Sequence, residues 1–270
     1  MNFETLNVSV AAGIATVELN RPDKANALSG QMWQDIRSAF RRIDETPEAR
    51  VAVINGRGKH FTSGIDLAML AAMKQETHDD CEGRRREKLR RQILDLQDTL
   101  TSIERCRKPV IAAIHGACIG GGIDLITCCD MRYASAEAYF SVKEIDVGMT
   151  ADVGTLQRLP KLVPDGIARE LAYTGRRFDA VEAKEIGLLN RVYASPDSLR
   201  EGVAEIAATI AAKSPLSIRG IKEMVLYSRD HSVADGLNYI ATWNAAVLMS
   251  EDLTEAVKAS VEKRPAKFRD

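Results

Sequence analysis

The five cysteines of this chain, Cys81, Cys106, Cys118, Cys128 and Cys129, form no Cys-X-X-Cys pair and no Cys/His cluster with zinc spacing, and their number is odd. A disulfide framework is therefore excluded, and reduced thiols in a cytosolic-type compartment are expected. Histidine is sparse and scattered (His60, His78, His115, His231), so no metal site is expected. No run of about 18 apolar residues exists, which excludes a spanning helix. The first residues, Met1-Asn2-Phe3-Glu4-Thr5, carry no basic or long apolar leader, and the last four, Lys267-Phe268-Arg269-Asp270, are not the peroxisomal tripeptide. A cytoplasmic location is the expectation. An excess of charge of one sign is missing too: the formal net charge is −1, which argues against a nucleic-acid binder.

What remains is ordinary soluble-protein composition, 45% apolar and 28% charged over 270 residues, enough for a large core. One stretch stands out. Pro109-Val110-Ile111-Ala112-Ala113-Ile114-His115-Gly116 is apolar and of strand length, and Ala117-Cys118-Ile119-Gly120-Gly121-Gly122-Ile123-Asp124-Leu125 follows. The pattern reads as buried strand, glycine turn, buried helix. Glycines there let another group approach the backbone, and the first amides of a helix lack partners. Such a turn can hold an oxyanion, including one that exists only during a reaction. Asp124, three residues after Gly121, falls on the same helix face. Close packing alone also produces glycine turns of this kind. The spacing matches neither a P-loop nor a dinucleotide fingerprint.

Around this centre, residues 6–19 alternate about Ala11-Ala12-Gly13 and predict a β-hairpin. Ser29 is a good N-cap for a helix carrying Met32, Ile36, Ala39, Phe40 and Ile43 at helical spacing. Val51 to Gly56 predicts a strand, and Phe61-Thr62-Ser63-Gly64-Ile65-Asp66-Leu67 a second small-residue turn, suggesting a repeated strand–turn–helix unit. The basic run 84–91 reads as a solvated helix face, with a phosphate-binding edge as the functional alternative. Ile93, Leu96, Leu100 and Ile103 mark an amphipathic helix, and residues 138–148 an extended segment. From about Ser198 the pattern is helical: 199–212, 215–228, 234–249 and 251–262. A core over 1–197 and a helical region over 198–270, suited to assembly, are expected.

The middle third concentrates acids among glycines and apolar residues: Asp124, Glu144, Asp146 and Asp152. Buried acids cost desolvation unless paired or used. In extended chain Asp146 shares the face of Glu144, unless it caps the Val147-Gly148 turn. Asp152 is placed to N-cap the next helix. No serine, cysteine or histidine constellation suggests nucleophilic catalysis.

Taken together, Asn20-Arg21-Pro22, Asn26-Ala27-Leu28, Phe61 to Leu67, Lys108 to Ala112, Gly116 to Gly122, Cys129 to Arg132, Leu156-Gln157-Arg158-Leu159-Pro160 and Glu262 to Pro265 resemble the crotonase (enoyl-CoA hydratase/isomerase) superfamily over essentially the whole length. Gly122 to Thr127 and Val142 to Gly154 look like the Δ3,5-Δ2,4-dienoyl-CoA isomerases within it. The resemblance implies an α/β fold, a spiral of ββα units with C-terminal helices that build trimers or paired trimers. It implies an oxyanion hole from the amides of Ile65 and Gly121, with Glu144, Asp152 and Asp124 as the catalytic acids. Lys24, Ala25, Asn26, Ser63, Gly64, Asp66 and Leu67 match positions lining a coenzyme A site. Coenzyme A is then part of the substrate, and no separate cofactor, metal, membrane or nucleic-acid partner is expected. Hydratases carry a glutamate where Asp124 stands and a small residue where Asp152 stands. A 2-enoyl-CoA hydratase or Δ3-Δ2 isomerase is the runner-up, and a non-catalytic or RNA-binding relative the reading from another class.

Overall fold

The alternation at the N-terminus folds as expected: Leu6–Ala11 (β1) and Ile14–Leu19 (β2) pair antiparallel, Val8 facing Val17. In the computed structural model, which describes residues 2–270, four further strands extend this hairpin. These are Val51–Gly56 (β3), Val110–Ile114 (β4), Met131–Ser135 (β6) and Arg191–Tyr193 (β9), and the sheet runs β1-β2-β3-β4-β6-β9. All pairs after the hairpin are parallel. β4 is buried at every residue, which is why it reads as an unbroken apolar run rather than an alternating one.

Ala117–Ile119 (β5), Tyr139–Ser141 (β7) and Phe178–Asp179 (β8) form a separate three-stranded sheet. Ala117-Cys118-Ile119, read from the sequence as the start of the glycine turn, is thus a strand, paired in parallel with β7. The chain leaves the large sheet after β4, crosses to the small one as β5, and enters helix Gly121–Thr127 (α4). The repeat is therefore strand–strand–helix, one strand longer than the unit expected from periodicity. Two short strands joined by a single bend look like one apolar run.

Gly30–Glu45 (α1), capped by Ser29, buries Met32, Trp33, Ile36, Ala39, Phe40 and Ile43 against this framework. Leu67–Glu76 (α2) is followed by Glu82–Arg105 (α3), a single 24-residue helix. Its first half carries the basic run, solvated and paired locally, as in Arg86 to Glu82 at 2.6 Å. Its second half buries Thr99, Leu100 and Ile103. On the opposite sheet face, Pro196–Ala211 (α8) packs Leu199, Val203, Ala207 and Ala211 over Val51, Val53, Ile111, Ala113 and Tyr133. Pro215–Asp230 (α9) is fastened by Lys222, whose Nζ donates to Asp130 Oδ2 at 2.8 Å and to the Lys108 carbonyl at 3.1 Å. Val233–Val247 (α10) and Glu251–Val261 (α11) complete the helical end.

The 138–148 segment departs from its expected extended form. After β7 it closes into a 3₁₀ turn over Lys143–Val147, ended by Gly148 in the left-handed region (φ 72). Glu144 and Asp146 therefore do not share a face: Glu144 is half-buried, while Asp146 is exposed and pairs with Lys143. Asp152 is not a helix cap either. The short helix Thr155–Arg158 (α5) has Gly154 at its N-cap with no side-chain cap bond, and the Thr155 amide donates instead to Asp124 Oδ1 at 2.5 Å. The Thr155–Asp124 bond spans 31 residues, so local rules miss it.

Phe40, wholly buried in the main core, provides the fold's test: Phe40→Ala should cost about 3–5 kcal/mol in urea unfolding at unchanged m-value.

Candidate active site

Two turns from distant parts of the chain are laid side by side by main-chain bonds. Thr62 N–H donates to Ala117 O at 2.9 Å and Ile119 N–H to Thr62 O at 3.2 Å, while Leu28 N–H reaches Gly64 O at 2.8 Å and Asp66 N–H reaches Leu28 O at 3.1 Å. The approach is close enough to require glycine at position 64. Its φ is +91, and a Cβ there would sit 2.7 Å from the Ile119 carbonyl oxygen. The consequence is that Ile65 N–H and Gly121 N–H come together, with a Cβ position on Gly121 only 3.7 Å from Ile65 N. Among the described residues neither amide has an acceptor. Buried N–H groups are rarely left so unless a ligand pairs them.

Both amides open onto a cavity of about 490 Å³ lined also by Ser63, Gly64, Asp66, Leu67 and Glu144. Ala27, Ile119, Gly120, Lys143, Val147 and Met149 complete its wall. These six lie inside the motifs of the resemblance but are not among the expected site residues, because nothing in their type marks them for chemistry.

Glu144 reaches the cavity from the 3₁₀ turn, with its carboxylate against Gly120: a Cβ there would lie 3.3 Å from Glu144 Oε1. Asp124 and Asp152 do not line the cavity but act on Glu144 from inside the protein. Asp124 is fully buried, and its Oδ2, like Glu144 Oε2, meets no donor. Burial, and then the Asp124 charge, pushes Glu144 up to about 7. Burial likewise pushes Asp124 up to about 6, against the pull of the Thr155 hydroxyl and amide and of Arg158. Asp152, half-buried, is raised by desolvation. Two such carboxyls in contact resist ionising together, so one of them keeps its proton up to about neutral pH. The site thus offers paired oxyanion donors, one protonated acid and one free carboxylate.

Of the remaining expected site residues, Lys24 is exposed on the rim loop and Ala25 and Asn26 hold left-handed conformations (φ 48 and 53). Asn26 is fully buried; its side chain accepts from Arg21 N–H and donates to the Arg57 and His60 carbonyls, each at 2.9 Å. It joins two loops rather than facing the cavity. Asp66 caps α2 through Ala68 N–H at 3.1 Å and pairs with Arg21 at 3.0 Å.

The profile of the enoyl-CoA hydratase/isomerase family matches residues 9–270. The chain belongs to that family. It is 48% identical to the peroxisomal Δ(3,5)-Δ(2,4)-dienoyl-CoA isomerase of Arabidopsis thaliana, over 98% of this chain and 96% of the relative. It is 44% identical to the human mitochondrial isomerase of the same name, over 98% of this chain and 82% of the relative. Among solved structures, enoyl-CoA hydratase from Bacillus anthracis superposes with a TM-score of 0.89 at 31% identity, covering 98% of this chain and 99% of that one. The α/β crotonase spiral expected from the sequence is therefore its fold.

The cytoplasmic expectation does not survive these comparisons, since the similar isomerases carry peroxisomal and mitochondrial names. Its premise was too weak: all five cysteines are free thiols, but reduced thiols separate reducing from oxidising compartments only, not one reducing compartment from another.

For this member of the enoyl-CoA hydratase/isomerase family, the raised acid has a stability signature. Below the ordinary carboxyl value of 4.5, folded and unfolded chains both hold Glu144 protonated. Between there and about 7 the unfolded chain ionises first, so stability falls as pH rises through that window. Glu144→Gln should therefore stabilise the protein at pH 8 by on the order of 2 kcal/mol, and by much less at pH 5, in denaturant titrations.

Proposed function

We propose that this chain isomerises 3,5-dienoyl-CoA to 2,4-dienoyl-CoA in the breakdown of unsaturated fatty acids. The observation that carries the reading is the cluster of Glu144, Asp124 and Asp152 beside two unpaired amides. The names of the relatives at 43–48% identity support it.

The chemistry requires a proton taken from C2 and one given to C6. As the C2–H bond breaks, its electron pair forms a C1=C2 bond and the carbonyl π pair moves onto the thioester oxygen, giving a dienolate; when C6 takes its proton the carbonyl re-forms and the double bonds settle at C2=C3 and C4=C5. Ile65 N–H and Gly121 N–H stabilise that oxygen; losing one such donor typically costs about 10²–10³ in rate. Protonation at C6 then leaves the 2,4-diene. Glu144 and Asp152 are the proposed shuttle pair, one receiving and one delivering; of the two only Glu144 lines the cavity, so this role requires the bound acyl chain to extend past Glu144 to Asp152. Asp124, tied to the Thr155 amide, orients and polarises Glu144. No proton is gained or lost overall, which fits a pair of acids that exchange roles. A hydratase needs no third acid at position 152.

Coenzyme A enters as the substrate's handle, along the Lys24-Ala25 loop, which buried Asn26 holds in place, and the Ser63 to Leu67 turn, and no separate cofactor is required. If the basic face 84–91 contacts its phosphates, charge reversal there raises KM at unchanged kcat. The helical region from 198 onward serves assembly, with α8 packed on the sheet and α9 to α11 facing outward. Ile221, Val225, Leu237 and Met249 on or beside these outer helices are 60%, 66%, 64% and 90% exposed, an apolar surface suited to a homotrimer or a pair of trimers. Sedimentation should give three or six chains, and Met249→Asp should shift the population toward monomer.

Ultraviolet spectroscopy with 3,5-dienoyl-CoA tests the activity: the conjugated 2,4-dienoyl thioester chromophore should grow in. Glu144→Gln and Asp152→Asn should each lower kcat by about 10²–10⁴ in folded protein. Hydration of 2-enoyl-CoA without dienoyl turnover would transfer the assignment to a hydratase.

A further inference from the structure

The acid cluster leans on a part of the fold that does not line the cavity. α3 presents Gln97, Thr101 and Glu104 at helical spacing toward the 152–158 segment. Gln97 Nε2 donates to the Asp152 carbonyl at 2.6 Å. Arg158 donates to the Thr101 hydroxyl at 3.3 Å and to both Glu104 oxygens at 3.1 and 3.3 Å. The Arg158 and Glu104 side chains are 13% and 12% exposed, so the pair is shielded from solvent. The guanidinium is pressed onto Gly154, where a Cβ would overlap Arg158 Nη1. Gly154 directly precedes Thr155, whose amide is the donor to Asp124. On its far side Glu104 also pairs with Arg229, from α9.

We propose that Arg158 is a positioning residue for the double-bond shift. Clamped by Glu104, it fixes the Thr155 amide on Asp124 and keeps a shielded positive charge near Asp124, while Arg229 ties the clamp to the C-terminal helices. The proposal deepens the isomerase reading and rests on it for its kinetic arm. The other charged groups around the acids are differently placed. Lys143 and Asp146 pair with each other at the exposed 3₁₀ turn. Cys118 on β5 and Cys128 at the end of α4 are kept neutral by burial. Glu104 and Arg229 reach the acids only through Arg158. Arg158 is the cation that acts on Asp124.

The test compares Arg158→Met, Arg158→Lys, Glu104→Gln and Arg229→Gln with the wild type in two readouts. One is the pH profile of kcat/KM on 3,5-dienoyl-CoA; the other is an infrared titration of the carboxyls in ¹³C-aspartate-labelled protein without substrate. Removing the cation favours protonated acids, so Arg158→Met should move the acid limb and the infrared midpoint up by on the order of one pH unit. Arg158→Lys keeps the charge and loses the planar fork, so kcat should fall with little shift. Glu104→Gln removes the counter-charge and should move both readouts down. Arg229→Gln leaves Glu104 to Arg158 alone and should move them up, by less than Arg158→Met. Loss of rate in Arg158→Met with neither readout displaced would overturn the proposal, as would an upward shift in Glu104→Gln. An unshifted Arg229→Gln would remove α9 from it. If Arg158→Met does not fold, Arg158→Lys and Glu104→Gln carry the same decision. If the wild type does not turn over the dienoyl thioester, the isomerase reading fails, and the infrared arm still decides the role of Arg158.

Discussion

The rest of the site depends on keeping carboxyl groups where water does not reach them. An ionised acid removed from water costs several kcal/mol unless something polar replaces its hydration. Asp124 meets that constraint with the Thr155 amide, and the remaining oxygen is left against Glu144. The result is a pair whose acidities are shifted toward neutral pH, as the proposed proton shuttle requires. The same burial that makes the acids useful destabilises the fold above their shifted pKa values. Stability and proton transfer therefore draw on one electrostatic arrangement in opposite directions.

The paired amides impose a second constraint of the same kind. An N–H without a protein acceptor is free to take a ligand oxygen, and here two are held side by side at the cavity wall by bonds the backbone makes elsewhere. Leu28 bridges to the Ile65 strand segment and Thr62 to Cys118, so two turns separated by more than fifty residues cannot drift apart. The small sheet formed by β5, β7 and β8 has its use here: β5 delivers Gly121, and β7 runs directly into the 3₁₀ turn that carries Glu144. One of the two donors and the acid are thus set by adjacent strands of one sheet, and the other donor is held against them by the 62–67 turn.

Around this centre the charged network grows outward in order of decreasing burial. Asp124 is enclosed, Arg158 and Glu104 are nearly so, and Arg229 is one-third exposed on a helix belonging to the apolar C-terminal surface. A subunit contact over α9 to α11 would lie only two ion pairs from the acids. Packing in such chains is cooperative, so changes at one end are felt at the other through geometry as well as charge.

The sequence by itself determined the local elements and the family. Apolar spacing located α1, β3, β4 and the C-terminal helices, because burial of one face leaves a period in the chain. Glycines at 64 and 120–122 located the turns, because only they tolerate such close backbone approach. Crowding of acids among apolar residues marked Asp124, Glu144 and Asp152 as unusual, and motif resemblance supplied their roles. Tertiary structure alone decided what those acids touch. That Asp124 rather than Asp152 meets the Thr155 amide, that Glu144 stands on a 3₁₀ turn apart from exposed Asp146, and that Glu104 on α3 meets both Arg158 and Arg229 are contacts between residues 31 to 125 positions apart or turns without periodicity. Local propensity carries no information about such pairings, since they are fixed by which strands share a sheet and not by what lies next in the chain.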